Sequence, residues 1–256
     1  PRQLSDGYAR RGEGFRVITG HDIHSGPQRY DTLDSKGLIL IPGNEITAGG
    51  PHMLHIDARS RVEPDPERQT AIDAANADGG FVVINHPNWQ TAFDHCPLEN
   101  MHVWQNYLGM EIYNGVISRL DGSPYATNKW DMLLAAGRRV LGFANDDSHA
   151  AVGDVELGWN AVYVTDPSAA GVVAALKAGR FYASTGVTIT DITFTGMHIH
   201  LATANARRIV ALRDTGKRIA TADSTSIDVD VPAGAKYIRF ECWGDGEQFA
   251  WTQAFH

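Results

Sequence analysis

Five short apolar segments of the chain each end near a residue that can bind a metal ion. The segments begin at Phe15, Leu38, Phe81, Leu108 and Val140, and they run into His21, Glu45, His86, Glu111 and the pair Asp147 and His149. In a barrel of parallel strands the carboxyl ends meet at one mouth, so residues far apart in sequence come together there. The pattern predicts a metal-binding site at the strand ends.

Helix-like segments alternate with these strands up to about residue 184. They cover residues 2–11, 67–77, 126–136 and 168–178, and glycines follow three of them where helices commonly end. The strands are nearly all apolar, as in strands buried on both faces. This alternation favours an α/β fold, with a parallel sheet or barrel and crossover helices.

The pattern changes after Ser184. Residues 188–194, 226–231 and 236–240 alternate with period two, and residues 214–216 and 244–246 have the composition of hairpin turns. We therefore predict two domains, a barrel over residues 1–184 and an antiparallel sheet or small sandwich over residues 185–256.

Composition limits the partners. The formal net charge is -8 and no run of Lys and Arg occurs, so nucleic acid is not an expected partner. No segment has the roughly 20 apolar residues that cross a bilayer, so no membrane partner is expected either. Cys96 and Cys242 are too few for a disulfide framework, which favours a reducing, cytoplasmic location.

The segment 145–149 carries the strongest local signal. On an extended backbone Asp147 and His149 point to the same side, where a carboxylate and an imidazole can share a cation, and Asp146 faces away. An ordinary Asp-rich turn is the alternative interpretation.

Glu45 and His86 each follow an apolar strand. A buried glutamate is costly unless it is paired or binds a metal, which makes Glu45 a candidate bridge between two cations. Pro87 ends the strand before it and stiffens the turn that presents His86. A histidine in this position can also be a simple loop residue.

Three further positions leave alternatives open. His52 and His55 are three residues apart, so on a strand they face opposite sides and at most one reaches the site. His21 is favoured over His24 because it lies nearer the strand end. Glu111 could bind a metal, accept a hydrogen bond from a ligand histidine, or pair with Arg119.

The segment 91–102 is irregular and lies among aromatic residues. Trp89, Phe93, His95 and Trp104 could line a substrate pocket or simply pack the loop against the protein. Sequence motifs of serine hydrolases, P-loop NTPases and dinucleotide-binding proteins do not occur.

The order of the metal-type motifs resembles the PHP (polymerase and histidinol phosphatase) superfamily of metallohydrolases. Residues 19–22 are similar to its second motif, 43–47 to its third, 85–87 to its histidine–proline step and 147–149 to its last. Residues 179–184 and the tail ending at 250–253 resemble the carbaryl-hydrolase-like branch. The resemblance implies a distorted (β/α)7 barrel with a small C-terminal antiparallel β domain.

The resemblance also implies a metal site and a reaction. Two or three divalent cations, commonly zinc, manganese or iron, would be bound by His21, Glu45, His52, His86, Asp147 and His149. The expected nucleophile is a hydroxide between cations bridged by Glu45. Glu45 and Asp147 are the predicted catalytic carboxylates, with His24 or His55 as proton donor.

Small phosphate esters are the first expected substrates, because they are the commonest in the superfamily. Hydrolysis of a carboxyl ester or carbamate is the alternative, because the nearer branch acts on them and an aromatic loop suits an aryl leaving group. The sequence leaves the oligomeric state open.

Two departures from the superfamily pattern bear on activity. The first motif, a His-x-His pair, would precede Pro1, and Gly20 stands where an aspartate is usual. The chain is therefore expected to be either a segment of a longer product or a protein that lacks one metal position. The second hypothesis is a degenerate barrel that binds a ligand or partner without turnover.

Overall fold

The computed structural model describes residues 14–30, 35–150 and 153–256, and its strands form three sheets. The first sheet has six strands in sequence order: β1 (Phe15–Ile18), β2 (Ile39–Ile46), β3 (Met53–Ile56), β4 (Phe81–Ile84), β5 (Gly109–Asn114) and β6 (Leu141–Asn145). All of them are parallel except β3, which is antiparallel to both β2 and β4.

The predicted (β/α)7 barrel is wrong. In the described residues, 37% lie in strands and 18% in helices, and the first sheet is an open, mixed half-barrel. One cause is the short connection 47–52 between β2 and β3, because a parallel return needs a crossover of about a dozen residues or more. The chain therefore turns back as a hairpin.

Five α-helices occur in the described residues: α1 (Pro27–Tyr30), α2 (Arg68–Asp78), α3 (Leu98–Val103), α4 (Thr127–Ala135) and α5 (Ala169–Lys177). A 3-10 helix spans Val116–Arg119. The helices predicted over 67–77, 126–136 and 168–178 are confirmed to within about a residue, whereas the one over 2–11 lies outside the described residues. Gly79 ends α2 with φ of 101°, a conformation that favours glycine.

The remaining strands form two sheets. One contains β9 (Ile189–Thr195), β10 (His198–Thr203) and β13 (Ser226–Asp230), with β10 in the centre. The other contains β7 (Trp159–Val162), β8 (Phe181–Ser184), β11 (Arg208–Arg213), β12 (Lys217–Ala222), β14 (Arg239–Trp243) and β15 (Phe249–Thr252). The predicted turns at 214–216 and 244–246 connect β11 to β12 and β14 to β15.

The last sheet includes strands from both sides of Ser184. β8 pairs with β15 as well as with β7, so the tail shares a sheet with the segment that precedes it. This pairing continues the hydrogen-bonded backbone across the expected domain boundary.

Two side-chain amides join the first sheet to the last. Gln253 accepts from the backbone N–H of Gly142 at 2.9 Å and donates to its carbonyl at 2.8 Å. Asn160 makes the same two-point contact with Ala144, at 3.1 and 2.8 Å. Each amide thus hydrogen-bonds backbone groups at the edge of β6, where a neighbouring strand would otherwise pair.

In the parts of the chain that the structure describes, no helix has the length and apolar character needed to span a membrane.

Candidate metal centre

The reversal of β3 brings a further histidine to the strand ends. The carboxyl ends of the five parallel strands lie at one edge of the first sheet, and the amino end of β3 lies at the same edge. His52 directly precedes β3, and its carbonyl accepts from the backbone N–H of Asn85 at 3.0 Å. The candidate site is therefore built from the ends of parallel strands and the start of one antiparallel strand.

Glu45 lies at the centre of this site with its carboxylate almost fully buried. Its Oε1 atom is 3.1 Å from Nδ1 of His52, and its Oε2 atom is 3.4 Å from Nδ1 of His21. The buried amide of Asn85 donates to Oε1 at 3.0 Å. The two oxygens therefore face different imidazoles, and the ligand atoms of His21, Glu45 and His52 lie close enough together to hold a metal ion.

Each of these imidazoles has a second one beside it. Nδ1 of His52 lies 3.2 Å from Nε2 of His86, and Nε2 of His21 lies 3.1 Å from Nε2 of His149. Glu45 consequently stands between two pairs of histidines, and all four residues were candidates from the sequence.

Hydrogen bonds orient one member of each pair. The Nδ1 atom of His86 donates to Glu111 at 3.2 Å, and Nδ1 of His149 donates to the carbonyl of Asp147 at 2.7 Å. This tautomer leaves Nε2 of each ring as an acceptor facing its partner. A carboxylate or carbonyl bound to the remote nitrogen is the usual support of a metal-binding histidine.

Three carboxylates crowd the buried side of the site. Burial, together with the charge of Glu111, raises the pKa of Asp147 to about 7. Burial also acts to raise the pKa of Glu45, but hydrogen bonding to His52 and the charges of His21 and His86 hold it below its usual value. Burial acts to lower the pKa of His86, but Glu111 outweighs it and keeps the pKa high. Added positive charge would therefore stabilise the ionised carboxylates of this site.

The backbone is unusual at two of these positions. His86 has φ of 25° and Asp147 has φ of 57°, values that non-glycine residues adopt infrequently. Such conformations persist where surrounding contacts hold them, and they concentrate at functional sites.

A cavity of about 490 Å³ adjoins the carboxylates on the inner face of the sheet. Its lining includes the site residues His21, Glu45, Glu111, Asp147 and His149. Strands β1 and β6, at opposite edges of the sheet, both line it, so the sheet curves around this space. The rest of the lining includes Val17, Leu54, Ile56, Phe143 and Trp159. The volume is that of a small-molecule pocket.

Two candidates lie outside the cluster. Nε2 of His24 is 2.9 Å from the carbonyl of Ala58, and the ring lies close enough to His55 to influence its pKa. His55 is fully buried, with Nδ1 3.2 Å from the Asn44 side chain. Leu54 and Ile56 line the cavity while His55 points the other way, as the alternation along β3 requires.

Asp146 also faces away from the cluster. Its carboxylate accepts from the backbone N–H groups of Glu156, Leu157 and Gly158, at 2.6 to 3.1 Å. It therefore holds the chain that follows β6. Asp146 faces away from the site as expected, although the backbone is not extended at Asp147.

Glu111 proves more central than its sequence indicates. Of the three roles open to it, the structure shows contact with a histidine and excludes the pair with Arg119, which pairs with Asp154 instead. Asn114 and Asn145 also donate to the Glu111 carboxylate, at 2.9 and 2.8 Å. The sequence signal that could have indicated this role is the asparagine that stands at the carboxyl end of each of three strands at this edge.

His95 is a site residue that was considered only as part of an aromatic loop. Its Nε2 accepts from the backbone N–H of His52 at 3.0 Å, and its ring stacks on His86 with centroids 5.0 Å apart. Burial and the neighbouring histidines lower its pKa to about 3. His52, His86 and His95 form one group that could hold a metal, but this hydrogen bond makes His95 a support for His52.

The aromatic residues in and beside the loop differ in their positions: one lies at the candidate site, and the others pack elsewhere or face solvent. Trp89 contacts the rings of His52, His86 and His95, with centroids 4.8 to 5.6 Å apart. Trp104 packs into the main hydrophobic core, and Phe93 is about half exposed.

The loop is held down by a buried lysine. The ammonium group of Lys129 donates to the carbonyls of Pro87, Phe93 and Cys96, at 2.8, 2.7 and 2.8 Å. All three of its donors therefore bind the segment that follows His86.

No known family model matches the chain, and no curated protein matches it at a significant level. A metal site is therefore inferred from the positions of the chain's own side chains.

Proposed function

We propose that this chain is a metal-dependent hydrolase acting on small esters, with phosphate esters as the leading substrate class. The observation that carries the proposal is the position of Glu45, whose two carboxylate oxygens face the imidazoles of His52 and His21 within one group of close ligand atoms. The motif order that resembles the PHP superfamily supports the same activity.

The donor set fits a divalent cation. His21, Glu45 and His52 each offer one ligand atom, and these atoms lie within 4.8 Å of one another. His86 and His149 adjoin this group, through Nδ1 of His52 and Nε2 of His21. Asp147 lies beside two of these rings, since its oxygens are 4.0 Å from Nδ1 of His86 and 3.8 Å from Nδ1 of His149. Imidazole and carboxylate ligands suit zinc, manganese and iron.

Divalent cations bound here would activate a water molecule as the nucleophile and polarise a phosphoryl or carbonyl oxygen. The protein supplies the orientation. Glu111 and the Asp147 carbonyl fix the rings of His86 and His149, and the amides of Asn85 and Asn145 hold the buried carboxylates in place. Preorganised ligands of this kind do not have to rearrange during the reaction.

His24 and His55 are not positioned to protonate the leaving group. Both rings are engaged on the outer side of β3, at the carbonyl of Ala58 and at Asn44. His21 and His149 have half-exposed side chains, so they border the solvent side of the site.

A carboxyl ester or carbamate is the second candidate substrate class. Apolar residues such as Leu54, Phe143 and Trp159 line the cavity beside the carboxylates. An aryl group would be desolvated against them, and the carbonyl would lie toward the carboxylate end.

The test combines metal analysis with turnover. The protein is stripped with a chelator, reloaded with zinc or manganese, and analysed for metal content and for hydrolysis of aryl phosphates and aryl carboxyl esters. We expect bound metal and metal-dependent turnover. Glu45→Gln and Asp147→Asn should lose metal and activity, whereas the exposed Glu63→Gln control should retain both.

The outcomes separate the hypotheses. Faster turnover of aryl carboxyl esters than of aryl phosphates would replace the leading substrate class with the second one. Bound metal without turnover of any ester would contradict a hydrolase and favour a binding protein. Absence of both metal and turnover in the reloaded protein would contradict the metal site itself.

A further inference from the structure

An aromatic ring lies at the inner end of the cavity beside the candidate metal centre. Phe143 lines this cavity and is almost fully buried. It stands two residues before Asn145 on β6, so the two side chains share the inner face of the sheet. Asn145 donates to the Glu111 carboxylate at 2.8 Å. Phe143 therefore lies beneath the carboxylates, on the side of the cavity away from the strand ends.

Strand geometry gives the depth of this space. Positions two residues apart on a strand are separated by about 6.6 Å, which is the distance along β6 from Phe143 to Asn145. The ring lies against Gly109, and Gly109 in turn stands two residues before Glu111 on β5. The space between the ring and the carboxylates therefore has room for one aromatic group.

Two neighbours hold the ring of Phe143 in place. A Cβ atom at Gly109 would come within 2.8 Å of Cδ2 of Phe143 and closer still to Cε2, so the ring packs directly on the glycine backbone. On another side the ring packs on Phe181, with centroids 4.7 Å apart. Because a close-packed interior yields little, the ring cannot withdraw to admit a larger group.

The surroundings of the ring are apolar. Leu54, Ile56 and Leu176 line the cavity together with Phe143. A charged group placed against these side chains would lose its hydration without gaining a partner, whereas an aromatic group would be stabilised by desolvation. The aromatic part of an ester is therefore expected at this end, with its phosphoryl or carbonyl group at the carboxylates.

We propose that Phe143 determines the size of the substrate by limiting the inner end of the cavity to one aromatic ring. This inference rests on the proposed function, because it concerns the leaving group of an ester held at the carboxylate end. A phenyl group fits above Phe143, whereas a naphthyl group in the same orientation meets the ring.

Binding and turnover test this role separately. Phenylphosphonate and 2-naphthylphosphonate, which have no ester bond to hydrolyse, are titrated by calorimetry into the zinc-loaded full chain. We expect the unsubstituted chain to bind the phenyl ligand about 10 times more tightly or better, since a poorly fitting pocket discriminates by that order. Phe143→Leu and Phe143→Ala should reduce or reverse this preference. The kcat/KM values for phenyl and 2-naphthyl phosphate should change in the same direction.

Phe240→Leu is the matched control, because Phe240 is fully buried in the separate core of the tail. Its preference between the two ligands should equal that of the unsubstituted chain. Phe143→Leu retains most of the buried volume, so it supplies the measurement if Phe143→Ala does not fold. Folding of each variant is checked by circular dichroism.

The outcomes for Phe143 and for the hydrolase differ. An unchanged preference in folded Phe143→Leu would overturn the role of Phe143, whether or not the chain is an enzyme, and so would binding of neither phosphonate. A changed preference in binding, without turnover of any ester, would support the size limit and contradict the proposed hydrolase.

Discussion

A single carboxylate oxygen of Glu111 holds both the backbone and the ring of His86. Oε2 accepts from the His86 backbone N–H at 2.6 Å and from Nδ1 at 3.2 Å. Because His86 has a positive φ, this contact fixes an infrequent backbone conformation as well as the ring tautomer. Glu111 therefore determines where Nε2 of His86 points.

We expect Glu111→Gln to weaken metal binding about 10- to 100-fold, because the neutral amide supports the ligand tautomer less well. Metal affinity is measured by competition with a coloured chelator, with Glu63→Gln as the exposed control. If Glu111→Gln bound metal as tightly as the control, the assigned positioning role would be incorrect.

The buried ammonium group of Lys129 should be important for stability and for order in the loop after His86. Lys129→Met leaves the carbonyls of Pro87, Phe93 and Cys96 without their donor, so we expect a loss of about 3 kcal/mol in the free energy of unfolding. Urea unfolding measures the loss, and limited proteolysis should cut the loop faster. Lys177→Met, at an exposed contact with the Gly79 carbonyl, is the control and should change neither.

We expect the contact between Arg239 and Asp131 to make the largest contribution to the attachment of β14 to α4. The fully buried guanidinium of Arg239 donates to both oxygens of Asp131 at 2.7 Å, and Tyr237 donates to one of them. Removing one partner of a buried pair strands the other charge, so Arg239→Met should cost about 3 to 5 kcal/mol. The exposed pair Arg207 and Asp245 provides a matched comparison.

We expect Arg207→Met to leave the urea midpoint nearly unchanged, because solvent screens that pair. Equal effects of the two arginine substitutions would show that burial does not determine the contribution of the inner pair.

His55 should make the fold sensitive to acid. Burial lowers the pKa of His55 to about 4 in the folded chain, against an ordinary value of 6.5. As the pH falls, His55 is therefore protonated in the unfolded chain before it is protonated in the folded chain. The stabilisation of the folded chain by neutral His55 is complete above pH 6.5 and is lost as the pH falls toward 4. The difference corresponds to about 3 kcal/mol.

Urea unfolding at several pH values between 7.5 and 4 measures this dependence. His55→Gln should be less stable at neutral pH but should lose less stability on acidification, because glutamine does not titrate. Parallel pH profiles for the two proteins would exclude His55 as a source of the acid sensitivity.

Local sequence signals predicted many of the elements. Helical spacing and C-terminal glycines located α2, α4 and α5, and period-two alternation located β9 and β13. The same alternation separated His52 from His55, which lie on either side of Leu54 in and beside β3. These predictions depend on neighbouring residues only, which is why the sequence contains enough information for them.

The connections between elements were not predictable in the same way. The direction of β3 and the pairing of β8 with β15 depend on which strands meet in space. The role of Glu111 depends on the distance from its carboxylate to a histidine on another strand. Likewise, the position of His95 depends on the fold of its loop, which Lys129 holds at three carbonyls.

The sequence by itself determined which residues stand at the strand ends and which face of a strand each one takes, because side-chain direction follows local backbone geometry. Only the tertiary structure decided which of those ends meet. The reversal of β3 places His52 beside Glu45, and the curvature of the sheet brings His149 to within hydrogen-bonding distance of His21. Contacts between segments far apart in the chain arise from packing and strand pairing, which no local pattern specifies.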